Sequence, residues 1–373
     1  MILLSNLLTR EKAPVKLLYA ALLCLFTLSH GMQNNTPLPI VFLSESEGNY
    51  PDSFKLLKDE IVKKYPNVSC TTLVLGDGKP EIALQNLESI IDLIEQAWTK
   101  QIANKIKSPV MAIGSSQSAL TLRFWIEKYL HKHLINYKDQ QISAIFHAIL
   151  VCGMQAGYYG IPEDKKAQNH LEETCATLQS QSITQILNHL TAWQKFLLFG
   201  STLSSIASNG LVSAGTPLLY KPEIQEKSSF AGFWKDPMAL KKYKNCCAVL
   251  PRYNNELDHS DSEQFIKNIS AVNFWNFFGA SEDPKILPPQ SALFRFYKKG
   301  SSSKIKTSFE ETAQYRKNLL GFKTLYNQKR AFFTEVDTDQ HGHQNPKMIE
   351  AIMNAINEGQ KQWNTYSYAD IKK

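Results

Sequence analysis

Ser116 carries the clearest chemical signal in the sequence, because it stands in the middle of the run Gly-Ser-Ser-Gln-Ser at 114–118. An apolar run precedes these residues and a helical pattern follows them. This is the layout of a nucleophile elbow, G-x-S-x-G, with its last glycine replaced by serine. Such a turn exposes the serine Oγ above a sheet edge, where it can attack a carbonyl carbon. The alternative is that Ser115, Ser116 and Ser118 only cap the following helix.

A serine nucleophile needs a histidine base and an acid that orients it, and both follow later in the chain. Asp283 lies in a polar loop after the apolar run 271–280, and His341 and His343 lie in the polar loop 337–345. The order Ser, Asp, His is that of triads built on a G-x-S-x-G elbow. Other interpretations of the two histidines are an exposed polar loop or a His-x-His metal pair.

The elements around these residues alternate between strands and helices. The pattern predicts strands at 39–43, 68–75, 110–114, 144–153, 271–280 and 331–336, and helices at 52–65, 82–98, 117–133 and 346–357. Repeated βα units predict a mainly parallel sheet flanked by helices on both faces. Sites in such sheets lie at the carboxyl ends of the strands, and Ser116 is expected there.

The alternation stops at about residue 163 and resumes after residue 233. Between these positions the sequence predicts a helical insertion with Ser/Gly-rich joints and apolar residues concentrated at 183–212. Two interpretations are compatible. The apolar residues pack against one another inside the insertion, or they form a lid that lines a groove for an acyl chain.

Residues 1–31 resemble a secretory signal peptide. Arg10, Lys12 and Lys16 precede the apolar stretch 17–28, and small residues follow it at a cleavable position. The alternative is an uncleaved membrane anchor, but the apolar stretch is short for a bilayer span. We therefore expect an exported protein (secreted, periplasmic or lysosomal) whose mature part, 32–373, is one domain.

The charge balance argues against a nucleic-acid partner. The net charge is +7, and removal of residues 1–31 lowers it to +5. The surplus is spread over lysine pairs such as Lys241-Lys242 and Lys298-Lys299, whereas nucleic-acid binders cluster basic residues in a recognisable module. It slightly favours an anionic lipid surface, although a solvated face is the simpler interpretation. Vicinal Cys246-Cys247 lacks a C-x-x-C partner, so we expect no metal and no cofactor.

Several segments together resemble the palmitoyl-protein thioesterase family, whose members are α/β-hydrolases that remove long acyl chains from protein cysteines. The resemblance covers roughly residues 37–357, in order. The segments that carry it are Pro-Leu-Pro-Ile-Val at 37–41, the elbow at 114–117, Val-Cys-Gly-Met-Gln-Ala-Gly at 151–157, Phe-Trp-Lys-Asp-Pro at 233–237, 250–256, 283–297, 320–323 and Thr-Glu at 334–335.

This resemblance implies an α/β-hydrolase fold with a helical lid, and a thioesterase activity that passes through an acyl-serine. It implies that Ser116 is the nucleophile and Asp283 the triad acid. The family has an Asp-His pair soon after its Thr-Glu strand end, so it favours His341 as the base, with His343 as the alternative. It also implies a long-chain acyl substrate, and is compatible with transient contact at a membrane surface.

The oxyanion hole is where the sequence departs from the family. The backbone N–H of Gln117 is expected to be one donor, since it follows the nucleophile. The second donor, by position, is the N–H of Ser46 in Ser-Glu-Ser-Glu-Gly at 44–48, where the family has a His-Gly run. Two alternatives stay open, and this change favours the second of them. One is a lipid or carboxyl esterase with the same triad, and the other is a hydrolase-fold protein that binds acylated ligands with little or no turnover.

Overall fold

The computed structural model describes residues 36–44, 54–76, 82, 85–160, 219–339 and 342–369. The chain divides into two compact units, Met1–Pro37 and Leu38–Lys373, and the helices and strands of the described residues belong to the second. The signal peptide predicted at 1–31 lies outside the described residues. Among the helices that are described, none is long and apolar enough to cross a membrane.

The centre of the second unit is a parallel six-stranded sheet in the order β2-β1-β3-β6-β7-β8. A separate antiparallel hairpin consists of β4 and β5. In chain order the strands are β1 Ile40–Ser44, β2 Cys70–Val74, β3 Val110–Ser115, β4 Leu134–Tyr137, β5 Gln140–Ser143, β6 Ile145–Val151, β7 Phe274–Ala280 and β8 Ala331–Val336. The strands β1, β3 and β6 are buried along their whole length, as expected for a sheet covered on both faces.

Helices fill the connections between the strands. They are α1 Lys55–Lys64, α2 Leu87–Trp98, α3 Gln117–Tyr129, α4 Pro222–Gln225, α5 Ser229–Phe233, α6 Leu240–Cys246, α7 Leu250–Tyr253, α8 Ser262–Ala271, α9 Ala313–Arg316, α10 Phe322–Asn327 and α11 Pro346–Ala369. Helix α2 shows why these segments are helical. Its buried residues Leu87, Ile90, Ile91 and Ile94 recur at helical spacing, and Asn86 caps its start by accepting the Ser89 N–H at 2.8 Å.

The structure confirms the predicted α/β-hydrolase architecture and all six predicted strands of the central sheet. The predicted end of the last helix at residue 357 is wrong, since α11 continues to Ala369. The reason is burial that the polar sequence did not indicate. Gln360 is buried and bonds both the N–H and the C=O of Leu38, at 2.8 and 3.1 Å, while Trp363 packs on Tyr137 and Phe146.

The predicted insertion at 163–233 is described only at its end, where 219–233 contains the short helices α4 and α5. The lid and acyl-groove interpretation of residues 183–212 lies outside the described residues. The two sides of the insertion meet where Tyr158 and Trp234 form a parallel bridge. Tyr158 N–H donates to Phe233 O at 2.9 Å, and Lys235 N–H donates to Tyr158 O at 2.9 Å.

Candidate functional site

Ser116 occupies a strained turn between β3 and α3. Its backbone has φ 58° and ψ −128°, a conformation that is costly for a residue with a side chain and that nucleophile elbows adopt. The turn is held from both sides, because Ser116 N–H donates to Val151 O at 2.8 Å and Ser116 O accepts from Ala119 N at 3.1 Å. The residue is only partly buried, whereas its neighbours on β3 are buried. The prediction that Ser116 stands at the carboxyl end of a central strand is confirmed.

The turn is tight enough to require glycine at position 114. A Cβ on Gly114 would lie 2.6 Å from Ser118 O and 2.9 Å from Ala119 Cα, and both of these are backbone atoms. Ser118, where the related elbows have glycine, fits because its Oγ turns back and donates to Ser115 O at 2.7 Å. The serine in place of the last elbow glycine therefore adds a hydrogen bond across the turn.

Asp283 follows β7 at the same end of the sheet. It is 3% exposed, and one carboxylate oxygen accepts the backbone N–H groups of Lys285 at 2.8 Å and Ile286 at 3.1 Å. Buried carboxylates require such partners, since an isolated buried charge is costly. The acid predicted from the sequence therefore lies in a loop whose backbone fixes its orientation.

The histidine loop reaches the elbow through Gly342. A Cβ built on this glycine, which has φ 83°, would lie 3.7 Å from Ser115 Oγ. His341 lies outside the described residues. His343 is buried, and its ring stacks on Phe54 just before α1, with 4.2 Å between the ring centres.

Cys152 joins these parts, a role that the sequence did not indicate. Its pKa is raised to about 12, chiefly by burial and next by the negative charge of Asp283, while backbone N–H groups of Gly342 and Ala280 act in the opposite direction. The thiol therefore faces both the acid loop and the histidine loop. In the sequence, Cys152 lies within the predicted strand 144–153, where a core residue is expected. Its position just after β6, beside the elbow, is the signal that could have found it.

A buried ion pair holds α3, the helix that follows Ser116, in place. Arg123 and Glu127 on α3 are both fully buried and lie 2.6 Å apart. Arg123 also donates to Gln155 Oε1 at 2.6 Å, to Asn254 Oδ1 at 2.9 Å and to Tyr253 O at 3.2 Å. These bonds tie α3 to the loop after β6 and to α7. Burial raises the pKa of Glu127 and lowers the pKa of Arg123, and the charge of each partner acts in the opposite direction.

The remaining predicted site residues separate into those that are described and those that are not. Gln117 is the first residue of α3, so its N–H lies at the helix start beside Ser116. Ser46 lies outside the described residues, with the rest of the loop 45–53. Within the described part of the chain, no three His, Cys, Asp or Glu side chains are grouped so that they could hold a metal ion.

Comparison with known proteins adds sequence relationships to this geometry. A sequence model of the family described as palmitoyl protein thioesterase matches residues 27–341. Palmitoyl-protein thioesterase 3 of Dictyostelium discoideum is 24% identical over 292 residues, which cover 78% of this chain and 81% of that protein. A lysosomal thioesterase of Homo sapiens is 32% identical over 108 residues, which cover 29% of this chain and 34% of that protein. A solved serine hydrolase of Cycloclasticus zankles is 14% identical, covers 88% of this chain and 92% of its own, and gives a TM-score of 0.40.

Proposed function

The chain belongs to the palmitoyl protein thioesterase family, and from this membership we propose that it cleaves long-chain acyl thioesters, in S-acylated proteins or peptides, through an acyl-serine at Ser116. It is a hydrolase of the thioesterase type. The observation that carries the assignment of Ser116 is its strained backbone between β3 and α3. Asp283 and Gly342 lie at the same end of the sheet, beside Cys152.

The proposed reaction has two acyl-transfer steps. His341 accepts the Ser116 Oγ proton as the oxygen attacks the thioester carbonyl carbon, and it returns the proton to the departing thiolate sulfur. Water, deprotonated by the same histidine, then attacks the acyl carbonyl carbon, the ester bond to Ser116 Oγ breaks, and the histidine returns the proton to that oxygen as the carboxylic acid leaves. Asp283 orients the imidazole and stabilises its cationic form. A thiol leaves more readily than an amine, so a thioester places modest demands on this machinery.

Three contacts support His341 rather than His343 as the base. Gly342, the residue directly after His341, approaches Ser115 Oγ and the Cys152 thiol. The His343 ring is instead stacked on Phe54. His341→Ala should abolish turnover and His343→Ala should preserve most of it. The reverse pattern would transfer the role to His343.

The proposed oxyanion hole uses the backbone N–H groups of Gln117 and Ser46. Gln117 has the required place at the start of α3. Since removal of one donor costs roughly a hundredfold to a thousandfold in rate, the substituted loop at 44–48 can set the catalytic level of this protein. Grafting a His-Gly-centred sequence into this loop should raise kcat if the loop is limiting.

The decisive experiment compares the purified mature protein with its Ser116→Ala variant on acyl thioesters and matched oxygen esters of graded chain length. A fluorophosphonate probe should label the wild type and the Ser115→Ala control, but not Ser116→Ala. Turnover of long-chain thioesters supports the proposal. Cleavage confined to short oxygen esters would support the esterase alternative. If neither turnover nor labelling is observed, the alternative that remains is a protein that binds acylated ligands, which the loop at 44–48 favours.

We also propose that the chain is exported after cleavage near residue 31, to the medium, a periplasm or a lysosome, and that the insertion at 163–233 acts as a lid over the acyl chain. The basic and apolar parts of residues 1–31 support export. Sequencing the amino terminus of the protein recovered outside the cytoplasm tests cleavage. Recovery of an intact residue 1 in the membrane fraction would favour the anchor alternative.

A further inference from the structure

Two lysine groups that are far apart in the sequence lie on adjacent segments of the fold. One follows Pro237 on α6, and the other lies in the turn 297–306. The segments are joined by a hydrogen bond from Gly300 N to Pro237 O at 3.0 Å. Lys235 also contacts both segments, since its Nζ lies 4.9 Å from the ring centre of Tyr243 on α6 and 5.4 Å from the ring centre of Phe296.

Six exposed lysines form what we call the lysine surface. They are Lys241, Lys242, Lys244, Lys298, Lys299 and Lys304. Two nearby carboxylates offset only part of this positive charge. Glu256 is bound to Lys235 at 2.7 Å, and Glu311, whose pKa is lowered chiefly by hydrogen bonds from Thr307, has Lys298 as one of its charged neighbours. Among the described residues, none of the six forms an ion pair with a carboxylate.

An exposed apolar side chain lies beside these charges. Met238 is 61% exposed, the largest exposure among the large hydrophobic residues of the described chain. It stands between Pro237, which is tied to Gly300, and the lysines of α6. Methionine is flexible and apolar, so it can enter an acyl-chain region while the lysine ammonium groups stay among headgroups.

A chain of contacts connects the lysine surface to the carboxyl end of the sheet, where Ser116 lies. Trp234, four residues before Met238, pairs with Tyr158 in the segment after β6. The ring of Tyr159 lies 5.3 Å from that of Trp234 and 6.1 Å from that of Tyr297, at the start of the lysine-bearing turn. Tyr159 N–H also donates to Leu287 O at 2.8 Å, in the segment that follows Asp283.

We propose that the lysine surface and Met238 dock this protein on an anionic lipid bilayer. Each lysine near such a membrane contributes an attraction that disappears at high salt, and Met238 adds a short-range apolar anchor. The apolar anchor, and the connection of the lysine surface to the end of the sheet that carries Ser116, favour a bilayer over a nucleic acid or an acidic protein. The inference deepens the proposed function, since an acylated substrate is held at a membrane by its own chain.

The test measures co-sedimentation of the full mature protein with vesicles of pure phosphatidylcholine and of phosphatidylcholine with phosphatidylserine. The wild type should bind only the anionic vesicles, and high salt should release it. Reversal of four charges, in Lys241→Glu, Lys242→Glu, Lys298→Glu and Lys299→Glu together, should lower partitioning more than about tenfold. Met238→Ser should weaken binding less, and the residual binding should be more sensitive to salt.

The matched control is Lys63→Glu with Lys64→Glu, an exposed lysine pair on α1 beside Val62, which is 45% exposed. This control should bind vesicles like the wild type, whereas Lys241→Glu with Lys242→Glu alone should already bind more weakly. Equal losses in the two double variants, no wild-type binding to anionic vesicles, or binding to heparin without binding to vesicles would overturn the proposal. Hydrolysis of a short, water-soluble acyl thioester should be the same in all of these variants, so failure of docking is separable from failure of the thioesterase proposal.

Discussion

The stability of this protein should fall in acid because of one buried histidine on β6. His147 is 2% exposed, and its Nε2 lies 2.6 Å from Asn276 Oδ1 on β7. On its other side α11 comes very close, since a Cβ on Gly359 would lie 2.4 Å from His147 Nδ1. Two further neighbours carry no charge, namely the ring of Phe274 at 6.1 Å and Met111, which faces His147 in the register of β3 and β6.

These surroundings lower the pKa of His147 to about 4, chiefly through burial, although the bond to Asn276 acts in the opposite direction. The unfolded chain therefore takes up a proton at a higher pH than the folded chain does. The contribution of neutral His147 to the free energy of unfolding is fully present above about pH 6.5 and is lost as the pH falls towards about 4. Each pKa unit corresponds to about 1.4 kcal/mol, so the loss is about 2 kcal/mol at pH 5 and about 3 kcal/mol at pH 4.

Urea unfolding followed by tryptophan fluorescence at a series of pH values, from about 7 to about 4, measures this loss. Carboxylates titrate in the same range, so the informative quantity is the difference between the wild type and His147→Gln, which keeps a donor for Asn276. The wild type should lose about 3 kcal/mol more than His147→Gln over this interval. The exposed residue His131 provides the control His131→Gln; its pKa is also lowered, chiefly by desolvation, so this variant should change the slope in the same direction but by less. If His147→Gln has the same slope as the wild type, the histidine is not neutral in the folded protein and the reasoning fails.

Two further pairs of substitutions test the support of the elbow. Gly114→Ala should destabilise the protein by about 3 kcal/mol or more in a urea titration and abolish turnover, because the new Cβ meets backbone atoms. Its control is Gly300→Ala, at φ 75° with no atom within 4 Å of the new Cβ. This control should cost only about 1 kcal/mol in the same titration. Arg123→Met should cost about 3–5 kcal/mol, since it leaves Glu127 buried without its partner, whereas Glu127→Gln should cost clearly less. Equal free energies of unfolding for the two members of either pair would contradict the corresponding argument.

The parts of the site that could be predicted are those encoded by residues close together in the sequence. The elbow at 114–118 and the loop of Asp283 each follow an apolar run, and the end of a buried parallel strand is where such folds place chemistry. Local patterns also located the six strands of the sheet, since each is a short apolar segment between turn residues.

The parts that were not predictable depend on partners distant in the sequence. Arg123 is a charged residue within a helix, and its burial becomes evident only once Gln155 and Asn254 arrive from other elements. Similarly, Gln360 belongs to the core only because the backbone of Leu38 passes beside it. The lysines at 241–244 and 298–304 look dispersed in the sequence, and the bond between Gly300 and Pro237 makes them one surface.

The bridge between Tyr158 and Trp234 has a consequence for how this fold can be varied and engineered. It joins the chain before the predicted insertion 163–233 to the chain that leaves it, through hydrogen bonds of Tyr158 with Phe233 and Lys235. An insertion whose ends are clamped side by side behaves as an exchangeable module. Replacing the inner part of the predicted insertion by a short linker, or by the corresponding segment of a relative, should leave the sheet and Ser116 in place. Substrate choice could then diversify without rebuilding the catalytic scaffold.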